Sequence, residues 1–403
     1  MTLPVIRMRH RDVGEPHRAS TPLELLFDLT FVAAIAAVVT ELAHGIERDQ
    51  ALELLPNFLM VFFAIWWAWL TFTWFASAYD TDDIPYRLLT MLQMGGVLVL
   101  AAGVPTAFGQ GDFLLVTVGY FIMRIALIAQ WLRAAAQDAE GRTTALRYAA
   151  GIGFVQALWI LRLFVVADLP VPLQTAIFAA LAVCEMCVPL WAERRGSTSW
   201  HPHHIAERYG LFTIIILGES VLAATVGVQA IVTAGAASGE FVLLAASGLA
   251  LLFGLWWVYY LEPAGEGLQR NRRRSFIWGY GHYFVFVALA ALGAGLEVSV
   301  QSLSHHGELD PVVVGYSVAI PVAVFLVSMQ ALYRPLLAGA TVIRAAVSLP
   351  GVVIVLLVPL LAHVVSLAVV VLLITLVVAL IVTVTVLQQS SVARGMRPAE
   401  ASL

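Results

Sequence analysis

Two acidic residues lie deep inside long apolar stretches of this 403-residue chain. Asp28 is part of "ELLFDLTFV", and Glu219 is part of "GLFTIIILGES". A charged side chain near the centre of a membrane costs about 2.5 kcal/mol or more, so each needs a partner or a function. Proton relays in pumps and transporters use buried carboxylates of this kind. Both residues are therefore candidate proton- or substrate-binding groups.

Three further charged residues near these stretches each have two explanations. The spacing of Thr21, Pro22 and Glu24 is that of a capping box, so Glu24 is explained by helix initiation as well as by binding. Glu207 falls in the first turn of its segment, where the helix dipole favours a carboxylate. Arg208 is either a cationic anchor near the inner surface or the partner of a buried acid.

Several other ionisable residues fall inside apolar segments. We predict that Arg124, Arg162 and Glu185 are charge partners, and depth in the membrane makes Arg124 a candidate partner of Glu219. His282 is either a hydrogen-bonded packing histidine or a group that titrates near neutral pH. The predicted substrate- or proton-binding set is Asp28, Glu24, Glu207, Arg208, Glu219 and His282. Four of these residues and charge partners fall in the predicted cytoplasmic half of the membrane: Asp28, Glu185, Glu207 and His282. Together they predict a polar inner vestibule.

Motifs for other chemistries are not found. "WHPHH", residues 200–204, offers three histidines, but their order matches neither a zinc finger nor the HExxH arrangement. No nucleophile motif, phosphate loop or dinucleotide fingerprint is present, so we expect no enzyme activity, no metal and no cofactor. A net charge of -4 without a long basic run gives no reason to expect nucleic acid as a partner.

The composition predicts a multi-pass membrane protein. The chain is 61% hydrophobic and 12% charged, whereas soluble domains carry about 25% charged residues. Apolar runs of about 20 residues can cross a bilayer, and here they predict an all-α polytopic fold with about twelve transmembrane helices. The predicted intervals are 22–44, 53–77, 86–107, 113–134, 146–168, 171–192, 205–229, 240–262, 275–300, 311–333, 343–362 and 365–388.

The arginines predict the orientation of these helices. With a cytoplasmic N-terminus, arginine is concentrated in the inner segments and Arg48 is the exception outside, as the positive-inside rule requires. Both termini are then cytoplasmic and the membrane is the bacterial inner membrane. The polar N-terminal residues lack the pattern of a signal peptide. We interpret 1–20 as a cytoplasmic tail and 389–403 as another.

Weak internal similarity predicts two halves. "TPLELLFDLTFV" and "HIAERYGLFTII" begin the first and seventh intervals, with Glu24 and Glu207 in matching places. Trp66-Trp67 and Trp256-Trp257 form a second correspondence. Six helices in each half make this a parallel repeat, as in many secondary transporters. The predicted division is a first half at 21–192, a cytoplasmic linker at 193–204 and a second half at 205–388.

Four segments of the sequence resemble one protein family. "ELLFDLTFVAAI", "WWAWLTFTWFASAYDTDD", "HIAERYGLFTIIILGES" and "GYGHYFVFVALAALGAGLE" are similar, in this order, to the bacterial low temperature requirement protein A (LtrA) family. The similarity extends from about residue 15 to 390 and implies a multi-pass inner-membrane protein. It implies no substrate. Its motif positions include all six of the predicted binding residues.

Three classes of function fit these observations. The favoured one is a secondary transporter of a small solute or ion, with proton coupling as one form of it, in which Asp28 or Glu219 would carry the proton beside Arg208 or Arg124. An ion channel would use the carboxylates as a selective constriction. A structural or stress-adaptation protein would use the buried charges only to hold helices together. The substrate, the coupling ion, the transport direction and the oligomeric state are left open.

Overall fold

The structure, a computed structural model, describes residues 5–12, 14–15, 18–166, 169–233, 238–303, 309–339 and 341–400. Regular structure in these ranges is helical, and no strand occurs in them. The α-helices are α1 (Pro22–Glu47), α2 (Ala51–Tyr79), α3 (Ile84–Ala102), α4 (Val104–Gln110), α5 (Leu114–Gln137), α6 (Arg142–Val165), α7 (Val171–Ala192), α8 (Pro202–Thr233), α9 (Gly239–Tyr260), α10 (Ala264–Arg270), α11 (Ser275–Gln301), α12 (Pro311–Leu336), α13 (Ala345–Leu357) and α14 (Leu367–Glu400).

Each of the twelve predicted intervals overlies a helix. Within the described ranges, ten helical segments are long and apolar enough to cross a membrane. The other two intervals fall on α8, which has 32 residues, and on α13, which is shorter even with the 3-10 turn that follows it. The chain is therefore an all-helical, multi-pass membrane protein with lipid around its spans, while the number twelve remains a prediction.

Side-chain caps begin several of the helices. Asp83 precedes α3, Ser238 precedes α9 and Asp310 precedes α12. In each case the side-chain oxygen accepts a hydrogen bond from a backbone N–H of the first turn. These N–H groups have no partner inside the helix, so the caps fix where each helix starts.

The chain forms two compact units. Unit 1 comprises Met1–Glu41 and Leu52–Leu211, and unit 2 comprises Leu42–Ala51 and Phe212–Leu403. In unit 1, α5 packs on both α3 and α6, and α6 packs on α7. Its central helix is α2, in which 83% of the most apolar stretch is buried. In unit 2, α11 packs on α12 and α9 packs on α14, and α11 is the most buried helix there.

The two tryptophan pairs that suggested a repeat lie in unlike surroundings. Trp66 and Trp67 of α2 are 1% and 0% exposed, whereas Trp256 and Trp257 of α9 are 45% and 50% exposed. Tryptophan is common both in helix cores and at membrane interfaces, so a pair can recur for unrelated reasons. This correspondence therefore gives no support to the parallel repeat, which remains a prediction.

The contact between α3 and α5 depends on a glycine. A Cβ atom on Gly96 would lie 2.7 Å from the carbonyl oxygen of Gly119 and 2.6 Å from Met123 Cγ. The neighbouring Gly95 has no atom within 4 Å of such a position. Gly96, unlike Gly95, is therefore required for the close approach of these two helices.

Gly96→Ala is expected to destabilise unit 1 by about 1–3 kcal/mol, because the added methyl group forces α3 away from α5. Gly95→Ala is the matched control, and its unfolding midpoint should stay at or above that of the native chain, since alanine favours the helix. Thermal unfolding of the purified protein in detergent measures both. Equal midpoints for the two variants would disprove the proposed close approach.

Candidate functional site

The start of α1 has the capping box that its sequence predicts. The backbone N–H of Thr21 donates to Glu24 Oε2 at 2.8 Å, and the N–H of Glu24 donates to Thr21 Oγ1 at 3.3 Å. Pro22 occupies the first helical position. The capping box uses one carboxylate oxygen of Glu24 and directs the other, Oε1, into the protein, where the whole residue is buried.

Arg208 of α8 is the centre of the buried charges in unit 1. Its Nε donates to Asp28 Oδ2 at 2.9 Å and its Nη2 donates to Asp28 Oδ1 at 2.6 Å. Its Nη1 lies 3.0 Å from Glu24 Oε1. Arg208 is 0% exposed, so its contacts fit the explanation of a partner for buried acids. Its guanidinium is shared by two carboxylates one helical turn apart on α1.

The aromatic face of α2 encloses the Asp28 carboxylate. Trp69 Nε1 donates to Asp28 Oδ1 at 2.7 Å. Trp69 also packs edge-on against Tyr209, which follows Arg208 in α8. Phe27 packs on Phe72 from the other direction, with ring centroids 4.0 Å apart. In such surroundings a carboxylate stays charged only while its hydrogen bonds are kept.

Three further residues extend these contacts. His204 Nε2 lies 3.2 Å from Glu24 Oε1, one helical turn before Arg208. Arg18 Nη2 lies 3.8 Å from the same oxygen and 4.0 Å from Asp80 Oδ2. We call the six residues Arg18, Glu24, Asp28, Asp80, His204 and Arg208 the ion cluster. It holds three carboxylates against two guanidinium groups and one imidazole, so it carries a surplus negative charge when His204 is neutral.

Comparison with known proteins supplies the family. A sequence profile of the bacterial low temperature requirement A protein (LtrA) family matches residues 19–385. The chain belongs to the LtrA family. It is also similar to an uncharacterised protein of Rhizobium meliloti (strain 1021), with 27% identity over 300 residues that cover 70% of each chain. The region matched by the profile contains the whole ion cluster except Arg18.

The N-terminal segment of this LtrA protein is docked on unit 1, although its sequence predicts only a polar cytoplasmic tail. The N–H of Ile6 donates to Asp83 Oδ2 at 2.7 Å, and Arg133 Nη1 donates to Asp83 Oδ1 at 2.8 Å. Farther along, the N–H of Arg11 donates to the carbonyl of Ala78 at 3.0 Å. The segment therefore binds at the ends of α2 and α5 and leads into the ion cluster at residue 18.

Arg18 connects the N-terminal segment to both the end of α2 and the ion cluster. Its guanidinium donates to the carbonyl oxygens of Ser77 and Ala76 at the end of α2. Next to it, burial raises the pKa of the Asp80 carboxyl to about 6, and the charge of Glu24 raises it further while Arg18 opposes the rise. Asp80 is thus a group of the cluster whose protonation changes in the physiological range.

The contribution of Asp80 to the folding stability of the LtrA protein is expected to weaken as the pH rises from about 4 to about 6. The folded state binds the Asp80 proton more tightly than an unfolded chain with its ordinary pKa of 3.8. The stabilisation is complete below the ordinary pKa and is lost as the pH passes the raised one. Asp80→Asn should flatten this part of the pH profile of the unfolding midpoint. A control variant, Glu266→Gln, alters an exposed carboxylate paired with Arg270 and should leave the profile unchanged.

A second buried polar network in unit 1 surrounds Glu185. Trp67 Nε1 donates to Glu185 Oε2 at 2.9 Å, while Tyr120 Oη and Trp159 Nε1 donate to Oε1 at 3.1 and 3.2 Å. Arg124 Nη2 donates to the Tyr120 hydroxyl at 2.7 Å. Glu185 and Arg124 are therefore linked through the Tyr120 hydroxyl.

The two predicted arginine partners differ from expectation. Arg124 was expected to pair with Glu219, but its hydrogen bonds go to Tyr120 and Thr71 within unit 1. Arg162 is 6% exposed and lies over the ring of Phe113, 5.5 Å from its centroid. Its contact is a cation–π interaction, which desolvation strengthens.

The predicted inner vestibule is not formed in unit 1. Asp28 and Glu185 belong to separate buried networks, and Glu207 is exposed, where it accepts a hydrogen bond from the N–H of Ser20 at 3.2 Å. Glu207 thus helps to hold the N-terminal segment. Of the predicted binding residues, the structure brings together Glu24, Asp28 and Arg208.

The remaining two predicted binding residues belong to unit 2. His282 is fully buried, with Nδ1 2.7 Å from the carbonyl oxygen of Trp278 and Nε2 3.3 Å from the Tyr259 hydroxyl. These contacts fit the explanation of His282 as a packing residue. Glu219 is 8% exposed, and its Oε2 has no hydrogen-bond partner among the described residues.

Sequence reasoning missed four residues of this site: Arg18, Trp69, Asp80 and His204. Arg18 was assigned to the tail and His204 to the rejected "WHPHH" metal motif, whereas Trp69 and Asp80 were not considered as site residues. Trp69 and Asp80 both lie in the segment "WWAWLTFTWFASAYDTDD" that carried the family resemblance. A polar residue directly after a buried helix was the available signal for Asp80.

Proposed function

We propose that this LtrA protein is a proton-coupled secondary transporter of a small solute or ion. We place it in the bacterial cytoplasmic membrane with both termini on the cytoplasmic side. The distribution of arginine supports this orientation. Membrane-buried ionisable groups of both signs support a role in moving charge rather than in covalent chemistry.

One observation carries the proposal: Glu24 and Asp28 share the single guanidinium of Arg208. The cluster has one carboxylate more than it has arginines, so the uptake of one proton neutralises it. If Asp28 takes that proton, Arg208 keeps Glu24 as its counter-ion; if Asp28 is charged, Arg208 binds both. Two arrangements of similar energy are the requirement for a coupled conformational change.

In this scheme each residue has a distinct role. Asp28 carries the proton, because its surroundings on α2 are aromatic and its charge depends on Arg208 and Trp69. Glu24 holds Arg208 in place during the exchange, since the capping box fixes its own position. His204 provides a second site for a proton beside Glu24.

One observation favours a purely structural role instead. Both oxygens of Asp28 have good hydrogen-bond partners, at 2.6, 2.7 and 2.9 Å. A fully satisfied buried pair can serve only to fix helices α1 and α8 against each other. The two functions predict different results when Asp28 loses its charge and the fold is kept. A proton-coupled transporter then loses its flux, whereas a purely structural protein has no flux to lose.

The test is a flux assay with the full chain in proteoliposomes that contain a pH-sensitive dye. A pH gradient is imposed, and anionic, cationic, zwitterionic and neutral solutes are added in turn. We expect at least one class to produce a saturable proton flux, and Asp28→Asn to abolish it. Glu207→Gln removes an equal charge at the exposed neighbour of Arg208 and should keep the flux.

Three results would count against the proposal. An absence of gradient-dependent flux with every solute class, together with unchanged behaviour of Asp28→Asn, supports the structural role. A current that never saturates with solute concentration supports a channel. Coupled flux that persists in Asp28→Asn places the proton at another residue.

A further inference from the structure

A cavity of about 510 Å³ lies within unit 2. It is lined by α9, α11, α12 and the start of α14, and by the end of α1 that belongs to this unit. Its volume falls in the range of 300–1,000 Å³ that is typical of small-molecule sites. Its walls combine two carboxylates, Glu47 and Glu240, with apolar residues that include Val298, Leu303 and Val314.

The carboxylate of Glu47 is left unsatisfied by the residues that the structure describes. Its Oε1 is buried and has no hydrogen-bond partner among the described residues. A buried carboxylate oxygen without a partner costs free energy that a bound donor would recover. Because Glu47 lines the cavity, such a donor has space beside it.

Further acids lie behind the cavity wall. Glu297 accepts a hydrogen bond at 3.3 Å from Gln301, which itself lines the cavity. Glu297 interacts electrostatically with Glu47, with Glu219 and with His44. Glu219 is more than nine-tenths buried and also has a carboxylate oxygen without a partner. The negative charges thus lie together, and none of the described lining residues is basic.

The kind of cation follows from what the cavity has and lacks. In the described part of the chain, no group of three or more His, Cys, Asp or Glu side chains is arranged to hold a metal ion. None of the described lining residues is aromatic, whereas quaternary ammonium ions are bound in aromatic cages. A protonated amine fits both conditions, since it donates hydrogen bonds to carboxylates and places its carbon skeleton on the apolar wall.

We propose that this cavity binds a small organic amine in its protonated form, with the ammonium group between Glu47 and Glu240. Glu219 and Glu297 strengthen the site through their charge and do not contact the ligand. The site is independent of the transport proposal, because it can be occupied at equilibrium whether or not the protein moves a solute.

The experiment is equilibrium binding to the full chain in detergent micelles, measured by calorimetry near pH 7 with four related probes. 2-Phenylethylamine is the ammonium probe, 2-phenylethanol is its neutral analogue, 3-phenylpropionate is its anionic analogue and benzyltrimethylammonium is the quaternary ion. We expect the amine to bind at least tenfold more tightly than each of the other three. Equal affinity of the amine and the alcohol, or no binding of the amine at millimolar concentration, would overturn the proposal.

Variants locate the site. Glu47→Gln and Glu240→Gln should each weaken amine binding at least tenfold, whereas Glu266→Gln, in an exposed pair with Arg270 of the same unit, should change it less than twofold. Ser366→Trp fills the cavity and keeps every carboxylate, so it should also abolish binding if the other variants fail to fold. Unchanged affinity in Glu47→Gln or in Ser366→Trp would place the amine elsewhere. A loss of flux in Asp28→Asn with amine binding retained separates this site from the transport proposal.

Discussion

Arg208→Gln is expected to lower the free energy of unfolding by about 3–5 kcal/mol, because it leaves two buried carboxylates without their cation. Asp28 would lose two hydrogen bonds and Glu24 would lose an ion pair at 3.0 Å. Glutamine retains much of the volume, so the loss reports charge rather than a cavity. The unfolding midpoint of the purified protein in detergent measures the change.

The control for this prediction is Arg87→Gln. Arg87 also makes two hydrogen bonds to one carboxylate, that of Asp82, each at 2.8 Å. Both partners are 40–45% exposed, however, so water replaces the lost bonds and the change should stay below about 1 kcal/mol. If the two variants lost the same stability, the proposed importance of burying Arg208 would be wrong.

The charge-swapped pair Asp28→Arg with Arg208→Asp separates structure from function. The swap restores opposite charges at the same two positions and should recover part of the stability lost in Arg208→Gln. It cannot recover proton coupling, because the carboxylate then stands on α8 and Glu24 faces an arginine from its own helix. Restored stability without flux would support coupling through Asp28, whereas restored flux would contradict it.

The helices were predictable because the signal for a membrane span is a sum over about 20 residues. Small errors at single positions do not change such a sum, and every predicted interval overlies a helix. The capping box at Thr21 is a local pattern as well, and the structure shows it. Predictions that depend on a few neighbouring residues in the chain were therefore reliable.

The ion cluster was only partly predictable, because its members come from distant parts of the chain. Asp28 and Arg208 are 180 residues apart, and no local pattern indicates which arginine a buried acid will find. Asp28 itself was identified, since a carboxylate among Phe27 and Leu29 has no local explanation. Arg208 was ambiguous, because the positive-inside rule explains an arginine near the inner surface equally well.

The docked N-terminal segment shows a different limit. Its residues are polar and carry no apolar periodicity, so composition predicts a solvated tail. What holds it is a set of hydrogen bonds from its backbone to Asp83 and Gln137, at 2.7 and 2.6 Å. Backbone groups are present in every sequence, so only the position of their partners decides where such a segment binds.

Asp83→Ala is expected to release this segment and to destabilise the start of α3. The Asp83 carboxylate accepts from the N–H of Ile6, from Arg133 and from the N–H of Tyr86, so the change removes both a docking contact and the cap of α3. The loss of a cap alone costs about 0.5–2 kcal/mol. Arg133 would also lose its buried counter-ion.

Limited proteolysis of the purified protein measures this release. We expect cleavage within residues 5–20 at least tenfold faster in Asp83→Ala than in the native chain, and Asp82→Ala, which alters the exposed neighbour, should cleave at the native rate. Asp83→Asn separates the two contributions, since an asparagine still caps α3 but cannot pair with Arg133 as an anion. If Asp83→Asn is cleaved as fast as Asp83→Ala, the ion pair with Arg133 holds the segment. If it is cleaved at the native rate, hydrogen bonding by a neutral side chain is sufficient to hold the segment. The charge of Asp83 is then not needed to keep the segment in place.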